Sequence, residues 1–120
     1  MSDILPIEKE WTVHKNIDEV VRILVKSLKS FKGRIVESSS NRIVCDFGSL
    51  LLSRLLGEFW VSRATLPKRA EIQLEPTGDS ETVLKLVVRE THKYGIKAGY
   101  VKKYQQALQE ISDAICDSIR

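Results

Sequence analysis

The C-terminal stretch from Lys97 to Arg120 constrains the fold of this chain more than any other. Its apolar residues recur at intervals of three and four, which places them on one face of an α-helix and leaves the opposite face polar. At a rise of about 1.5 Å per residue, this helix is up to about 35 Å long, enough to lie across a small sheet. The apolar residues are Tyr100, Val101, Tyr104, Ala107, Leu108, Ile111, Ile115 and Ile119.

The N-terminal third predicts a strand followed by a helix. Residues 5–14 alternate apolar and polar side chains, as a half-buried strand does, and Lys9 is the one charge on the apolar face. Asn16 is placed to cap the following helix, with Glu19 completing a capping box. Gly33 is placed to end that helix in a left-handed conformation.

The middle of the chain predicts strands joined by short turns. Residues 33–38 and 42–48 are rich in β-branched side chains and predict a hairpin. Residues 67–75 and 81–93 alternate apolar and polar side chains and predict two further strands. The leucine-rich residues 50–56 fit either a short helix or a buried strand, because periodicity cannot decide over so short a run.

Size and element order together define a fold class. A chain of 120 residues predicts a single domain over residues 1–120, with a core that needs no metal or disulfide. Consecutive strands with short turns give an antiparallel sheet, so the class is α+β. We expect a curved antiparallel sheet of five to six strands wrapped around the long C-terminal helix, with one shorter helix after the first strand.

Composition narrows the functional classes. No apolar run approaches the roughly 18 residues that span a bilayer, and the N-terminus lacks a signal-peptide pattern, so a cytoplasmic location is the expectation. The net charge of +3 is a weak argument for nucleic acid, which usually requires a dense basic stripe. Cys45 and Cys116 fall on apolar faces, where free thiols pack as small hydrophobic groups.

Motifs of catalysis are missing from the sequence. It contains two histidines, no close grouping of cysteine with histidine, no Gly-x-Ser-x-Gly and no metal-ligand spacing. We therefore predict no catalytic residues, no metal and no cofactor, and favour a protein that is not an enzyme.

The order of strand, helix, hairpin-linked strands and final long helix resembles the helix-grip fold of the START-related (SRPBCC) superfamily. That superfamily includes polyketide cyclases, lipid-transfer domains and birch-pollen-allergen-like proteins. The resemblance covers nearly the whole chain, from the Leu5 strand to the Tyr100 to Ile119 helix, and lies in the order of elements. It implies a small binding protein that holds an apolar or amphipathic molecule, lipid-like or polyketide-like, between the sheet and the last helix.

Three polar residues on apolar strand faces are candidates for the polar end of that site. In a helix-grip sheet the first and last strands are neighbours, so Lys9 and Glu90 could pair, with His92 beside them, unless the strand ends simply emerge into solvent. The apolar part of the predicted site consists of Trp11, Trp60, Leu84, Leu86, Tyr100, Tyr104 and Leu108.

Two alternative functions depend on other stretches. The apolar residues from Leu55 to Trp60 could form a surface for a partner protein or for a homodimer, or belong to the core. Lys97, Lys102 and Lys103 gather at the start of the last helix, where they could bind an anion, a nucleic acid or an anionic membrane surface, or be solvated.

Overall fold

The structure is a computed structural model that describes residues 5–48, 68–91 and 98–120, the side chains of residues 98–101 and 103 excepted. It is an α+β fold whose described residues form five strands and two helices. In chain order the elements are strand β1 (Ile7–Val13), helix α1 (Ile17–Ser30), strands β2 (Arg34–Ser38), β3 (Arg42–Phe47), β4 (Lys68–Gly78) and β5 (Glu81–Glu90), and helix α2 (Ala98–Ser118).

The five strands form one antiparallel sheet in the order β1-β5-β4-β3-β2. The first and last of these strands are neighbours, as predicted, and helix α1 carries the chain from β1 at one edge to β2 at the other. The sheet is not closed, since β1 and β2 lie at its two ends. Both helices pack against the same face of this open sheet.

The strand register puts apolar side chains on one face of the sheet. Trp11 lies opposite Leu84, which lies opposite Leu74, and the alternation continues along each strand. Because side chains alternate between faces, a register shift of one residue would turn this apolar face to solvent. The helices cover it with the buried residues Val20, Leu24 and Leu28 of α1 and Tyr104, Ala107, Leu108 and Ile115 of α2.

Helix α1 begins after Asn16, as predicted, but only one of the two hydrogen bonds of the predicted capping box is present among the described residues, and the helix ends differently. The Asn16 side chain accepts a hydrogen bond of 2.9 Å from the Glu19 backbone N–H. At the other end, the left-handed residue is Lys32, with φ of 64°, and the prediction that Gly33 adopts this conformation is wrong. The Gly33 N–H donates to the Leu28 carbonyl at 2.9 Å, which puts Gly33 one position beyond the left-handed residue of this helix end.

Gly33 is required by packing rather than by backbone conformation. A Cβ atom on it would lie 2.4 Å from the Cys45 sulfur, 2.7 Å from Cε1 of Phe47 and 2.9 Å from the Leu28 carbonyl oxygen. The end of α1 therefore approaches β3 more closely than any side chain would permit.

Several boundaries differ from the sequence-based expectation. Strand β4 continues to Gly78 and includes Pro76, which is tolerated because β3 pairs no further along β4 than Gln73. Leu5 was predicted on the apolar face, but it is exposed and precedes β1. The alternatives for residues 50–56, and with them any sixth strand, lie outside the described residues.

The two cysteines are free thiols. Cys45 is fully buried, and burial raises its thiol pKa to about 12. Cys116 is half-buried, and burial raises the pKa of that thiol too. Both thiols are therefore protonated near neutral pH, as expected for cysteines that pack as small hydrophobic groups.

Candidate functional site

A buried lysine and a glutamate face each other on the apolar face of the sheet. Lys68, the first residue of β4, lies directly opposite Glu90, the last residue of β5. Lys68 is only 4% exposed, and the next inward positions of β4 are the buried Ala70 and Ile72. Strand alternation thus turns Lys68 toward the helices, and the register brings a carboxylate beside it.

Burial dominates the electrostatics of Lys68. Loss of solvent lowers the pKa of Lys68 to about 8, while the negative charge of Glu110 on α2 acts in the opposite direction. The Oε2 atom of Glu90 is also inaccessible to solvent. The pair therefore places ionisable groups in a core whose other buried residues are apolar, apart from Thr82 and Ser112.

Helix α2 begins at the same end of the sheet. The Gln105 side-chain amide donates to the Leu5 carbonyl at 2.8 Å and accepts from the Leu5 N–H at 2.9 Å. If the β1–β5 register is extended by two residues, Leu5 lies level with Glu90. Tyr104, the residue before Gln105, is fully buried in the core. We call this end, with Lys68, Glu90 and Tyr104, the lysine end of the helix–sheet interface.

The predicted Lys9 to Glu90 pair is wrong. Lys9 lies opposite Leu86, four residues before Glu90, which corresponds to about 13 Å along the strand. Lys9 is exposed because β1 is an edge strand and leaves its side chain uncovered. Lys68 occupies the position beside Glu90 that we predicted for Lys9.

The predicted apolar residues line the whole interface rather than one pocket. Leu84, Leu86, Tyr104 and Leu108 are buried in the core, as expected of residues between sheet and helix. Leu84 and its neighbour Trp11 lie at the end opposite Glu90, since six residues of β5 correspond to about 20 Å. A compact site at the lysine end therefore includes Tyr104 but neither Leu84 nor Trp11.

The half-buried Trp11 connects β1 to the end of helix α2. Its indole N–H donates a hydrogen bond of 2.8 Å to the carbonyl of Ile119, just past the last helical residue. This bond satisfies one of the carbonyl groups that a helix leaves without an intrahelical partner.

We expect Trp11→Phe to lower the free energy of unfolding by about 1 kcal/mol, because the phenyl ring retains most of the packing but cannot donate to Ile119. Urea denaturation measures the change. Trp11→Tyr, which also lacks the indole donor, is the matched variant. An unchanged midpoint for both would show that this hydrogen bond contributes nothing.

Several predicted site residues lie outside what the structure describes. These are Trp60, His92 and Lys97, the side chains of Tyr100 and Lys103, and the Leu55 to Trp60 patch. Of the three predicted anion-binding lysines, Lys102 has a described side chain, and it is exposed on α2. Within the described stretches there is no group of three histidine, cysteine or acidic residues able to hold a metal ion.

Sequence reasoning missed Lys68, although the signal was present. The alternation of Ala70, Ile72 and Leu74 extends back to position 68 and turns that residue inward. A charged residue at a position that continues the apolar alternation of a strand is expected to point toward the core.

Comparison with known proteins identifies no family for this chain. No family model matches it, and no curated protein is significantly similar. Among solved structures, the crystal structure of TTHA0849 from Thermus thermophilus aligns over 95% of this chain and 93% of that one, with 13% identity and a TM-score of 0.47. Among the described residues, no helix has the length and apolar character needed to cross a membrane.

Proposed function

We propose that this chain binds an apolar or amphipathic small molecule between the sheet and helix α2, with the polar group of the molecule at the lysine end. We further propose that the sheet curves around α2 as in the helix-grip proteins of the START-related superfamily. The observation that supports the binding site is Lys68, a lysine buried on an apolar sheet face and opposite Glu90.

A buried lysine carries an energetic cost that apolar residues would avoid. Moving a charge out of water costs several kcal/mol, and replacing a buried ion pair with apolar side chains is often neutral or stabilising. Stability alone therefore gives little reason for a lysine at position 68. Binding sites for small molecules, by contrast, combine apolar walls with a few convergent polar groups, often with a shifted pKa.

The lysine end has both parts of such a site. Tyr104 and Val88 supply buried apolar surface, and Lys68 supplies a cation whose pKa lies near 8. A ligand carboxylate or hydroxyl could hydrogen-bond to the ammonium group, while its apolar chain extends along the interface between α2 and β5. This places the polar contact at Lys68 and removes the role that the sequence assigned to Lys9.

A titration with decanoate and with decanol tests this proposal. We expect both to cause saturable changes in the amide NMR spectrum, concentrated at residues 68–72, 86–90 and 104–108. Lys68→Met should weaken decanoate binding at least tenfold and decanol binding much less, because only the carboxylate has an ionic contact to lose. Lys85→Met is the control, since Lys85 is exposed on the adjacent strand and pairs with Glu10 at the surface.

The alternative is that Lys68 and Glu90 form an ion pair with a purely structural role. In that case neither compound should bind saturably, and chemical-shift changes should be small and spread over the surface. Saturable binding that Lys68→Met and Lys85→Met weaken equally would also contradict the proposed site.

A further inference from the structure

Strand β1 is an edge strand that pairs regularly along its whole length. All seven of its residues pair one to one with β5, without a register shift, and in the described part of the chain no other strand pairs with it. An edge strand presents unpaired backbone N–H and C=O groups to any further strand. The other edge, β2, has a register shift between Ile35 and Glu37, which interrupts such pairing.

A groove of about 370 Å³ runs beside this edge, between the inner side of β1 and the second half of α2. Lys9 lies in it and is exposed. The other cation of the groove, Arg120, is paired with Asp117 at 2.6 Å, whereas the described residues give Lys9 no ion pair. The residues lining the groove are Lys9, Glu10, Trp11, Thr12, Asp113, Cys116 and Arg120.

The charges of β1 disfavour pairing with a second copy of the same strand. Suppose that two copies of β1 pair antiparallel in one continuous sheet, with the helices of both copies on the same side. In the registers with the most paired residues, one residue lies opposite its own copy, and that residue is Lys9, Glu10 or Trp11. The first puts Lys9 opposite Lys9, the second puts Glu10 opposite Glu10, and like charges directly opposite each other are destabilising. The third leaves Lys9 against Val13, with no carboxylate to pair with.

We infer that the β1 edge is a docking site for an extended acidic peptide segment, which adds to the sheet as an antiparallel strand. Backbone hydrogen bonds supply the general affinity, and a carboxylate opposite Lys9 supplies selectivity. In an antiparallel partner, the residue opposite Trp11 comes two positions before the one opposite Lys9, and the residue opposite Ile7 two positions after it. From its N- to its C-terminus, the five-residue sequence pattern expected of the partner is therefore apolar, any residue, acidic, any residue, apolar.

The choice of an acidic partner follows from charge complementarity in the groove. Of the two cations in the groove, Lys9 is the one without an ion pair among the described residues. Of the two carboxylates in the groove, Glu10 pairs with Lys85 and Asp113 accepts a hydrogen bond from Gln109. The neighbours of Lys9 on its face of β1, Ile7 and Trp11, are half-buried apolar side chains. A glutamate between two valines matches this order of surfaces. The inference is independent of the proposed function, because the register places Lys9 about 13 Å along β5 from Glu90.

Two blocked heptapeptides test this inference on the intact chain. One is Val-Thr-Val-Thr-Glu-Thr-Val, and the other has lysine in place of glutamate. We expect the acidic peptide to shift the amide resonances of Ile7 to Val13 saturably and to bind at least tenfold more tightly than the basic one. Lys9→Glu should reverse this preference, and Lys9→Gln should abolish it. Lys26→Glu, the same change on an exposed position of α1, should leave it intact.

Three results would overturn the inference. The first is equal binding of both peptides to the wild-type chain, and the second is chemical-shift changes that avoid β1. The third is a concentration-dependent dimer of the wild-type chain, detected by sedimentation, with its interface at β1. The dispersed amide spectrum of each variant shows that it is folded, and Lys9→Gln keeps the test decisive if Lys9→Glu disturbs β1.

Discussion

Gly33→Ala should lower the free energy of unfolding by about 3 kcal/mol, at the upper end of the range for substitutions that overpack a core. The new Cβ would lie 2.4 Å from the Cys45 sulfur and 2.9 Å from the Leu28 carbonyl oxygen. Cys45 is fully buried, and the Leu28 carbonyl is part of the backbone at the end of α1, so neither can move freely. Either α1 separates from β3 or the hydrogen bond from Gly33 to Leu28 is lost.

Two other substitutions are the controls for this prediction. Gly78→Ala should change the free energy of unfolding by less than about 0.5 kcal/mol, because a Cβ there has no atom within 4 Å. Lys32→Gly should increase it by up to about 1 kcal/mol, since Lys32 adopts a φ of 64° that glycine adopts without strain. Urea denaturation measures all three, and equal effects of Gly33→Ala and Gly78→Ala would contradict the close approach.

The pH dependence of stability should reveal Lys68. Its pKa falls from 10.5 in the unfolded chain to about 8 in the folded protein, chiefly because of burial. Below pH 8 both states are protonated and the full cost of the buried charge is present. As the pH rises from 8 to 10.5 the folded state loses this proton first, so stability increases. A tenfold change in proton affinity corresponds to about 1.4 kcal/mol, which makes the total gain about 3 kcal/mol.

Ionisation of the cysteine thiols lowers the free energy of unfolding over the same pH range. Burial raises the pKa of Cys45 from 9.0 to about 12, so the unfolded chain releases that proton first and stability falls above pH 9. The pKa of the Cys116 thiol is raised as well. Because a thiol with a pKa of 9.0 is already partly ionised at pH 8, the cysteine contributions overlap that of Lys68 over the whole range, and the Lys68 contribution must be obtained as a difference.

Lys68→Met supplies that difference. We expect the unfolding free energy of the wild-type chain, minus that of Lys68→Met, to rise by about 3 kcal/mol between pH 8 and 10.5. The cysteine contributions cancel because both proteins retain them. Lys85→Met, at an exposed position of β5, should give a difference that is flat over the same range. A flat difference for Lys68→Met would show that its ammonium group is solvated in the folded state.

Local patterns in the sequence predicted most elements of the described fold. The alternation around Trp11 and around Ile72 predicted strands, and Asn16 with Glu19 located the start of α1, because these signals depend on neighbouring residues only. The antiparallel pairing of β2 with β3 and of β4 with β5 followed from the short connections between them, whereas the pairing of β1 with β5 was expected from the resemblance to the helix-grip fold. The prediction that Gly33 is the left-handed residue was wrong because the reason for a glycine there is its close approach to β3, a tertiary contact that no local pattern indicates.

The candidate site was only partly predictable, because strand register is a tertiary property. Lys9 and Lys68 both lie in phase with the apolar side chains of their strands, and the sequence gives no direct means of ranking them. The structure separates them because β1 is an edge strand, whereas β4 lies between two neighbours. Lys68 is consequently buried and Lys9 exposed, and the register rather than the spacing decides which of them lies beside Glu90.

Native mass spectrometry of the purified chain tests the proposed binding function most directly. The spectrum of the folded protein is compared with its denatured mass and with an organic extract of the same sample. We predict an adduct of one small molecule per chain that is released on denaturation and is weakened in Lys68→Met but not in Lys85→Met. If the chain remains free of any adduct and also fails to retain added decanoate, the proposed function is contradicted.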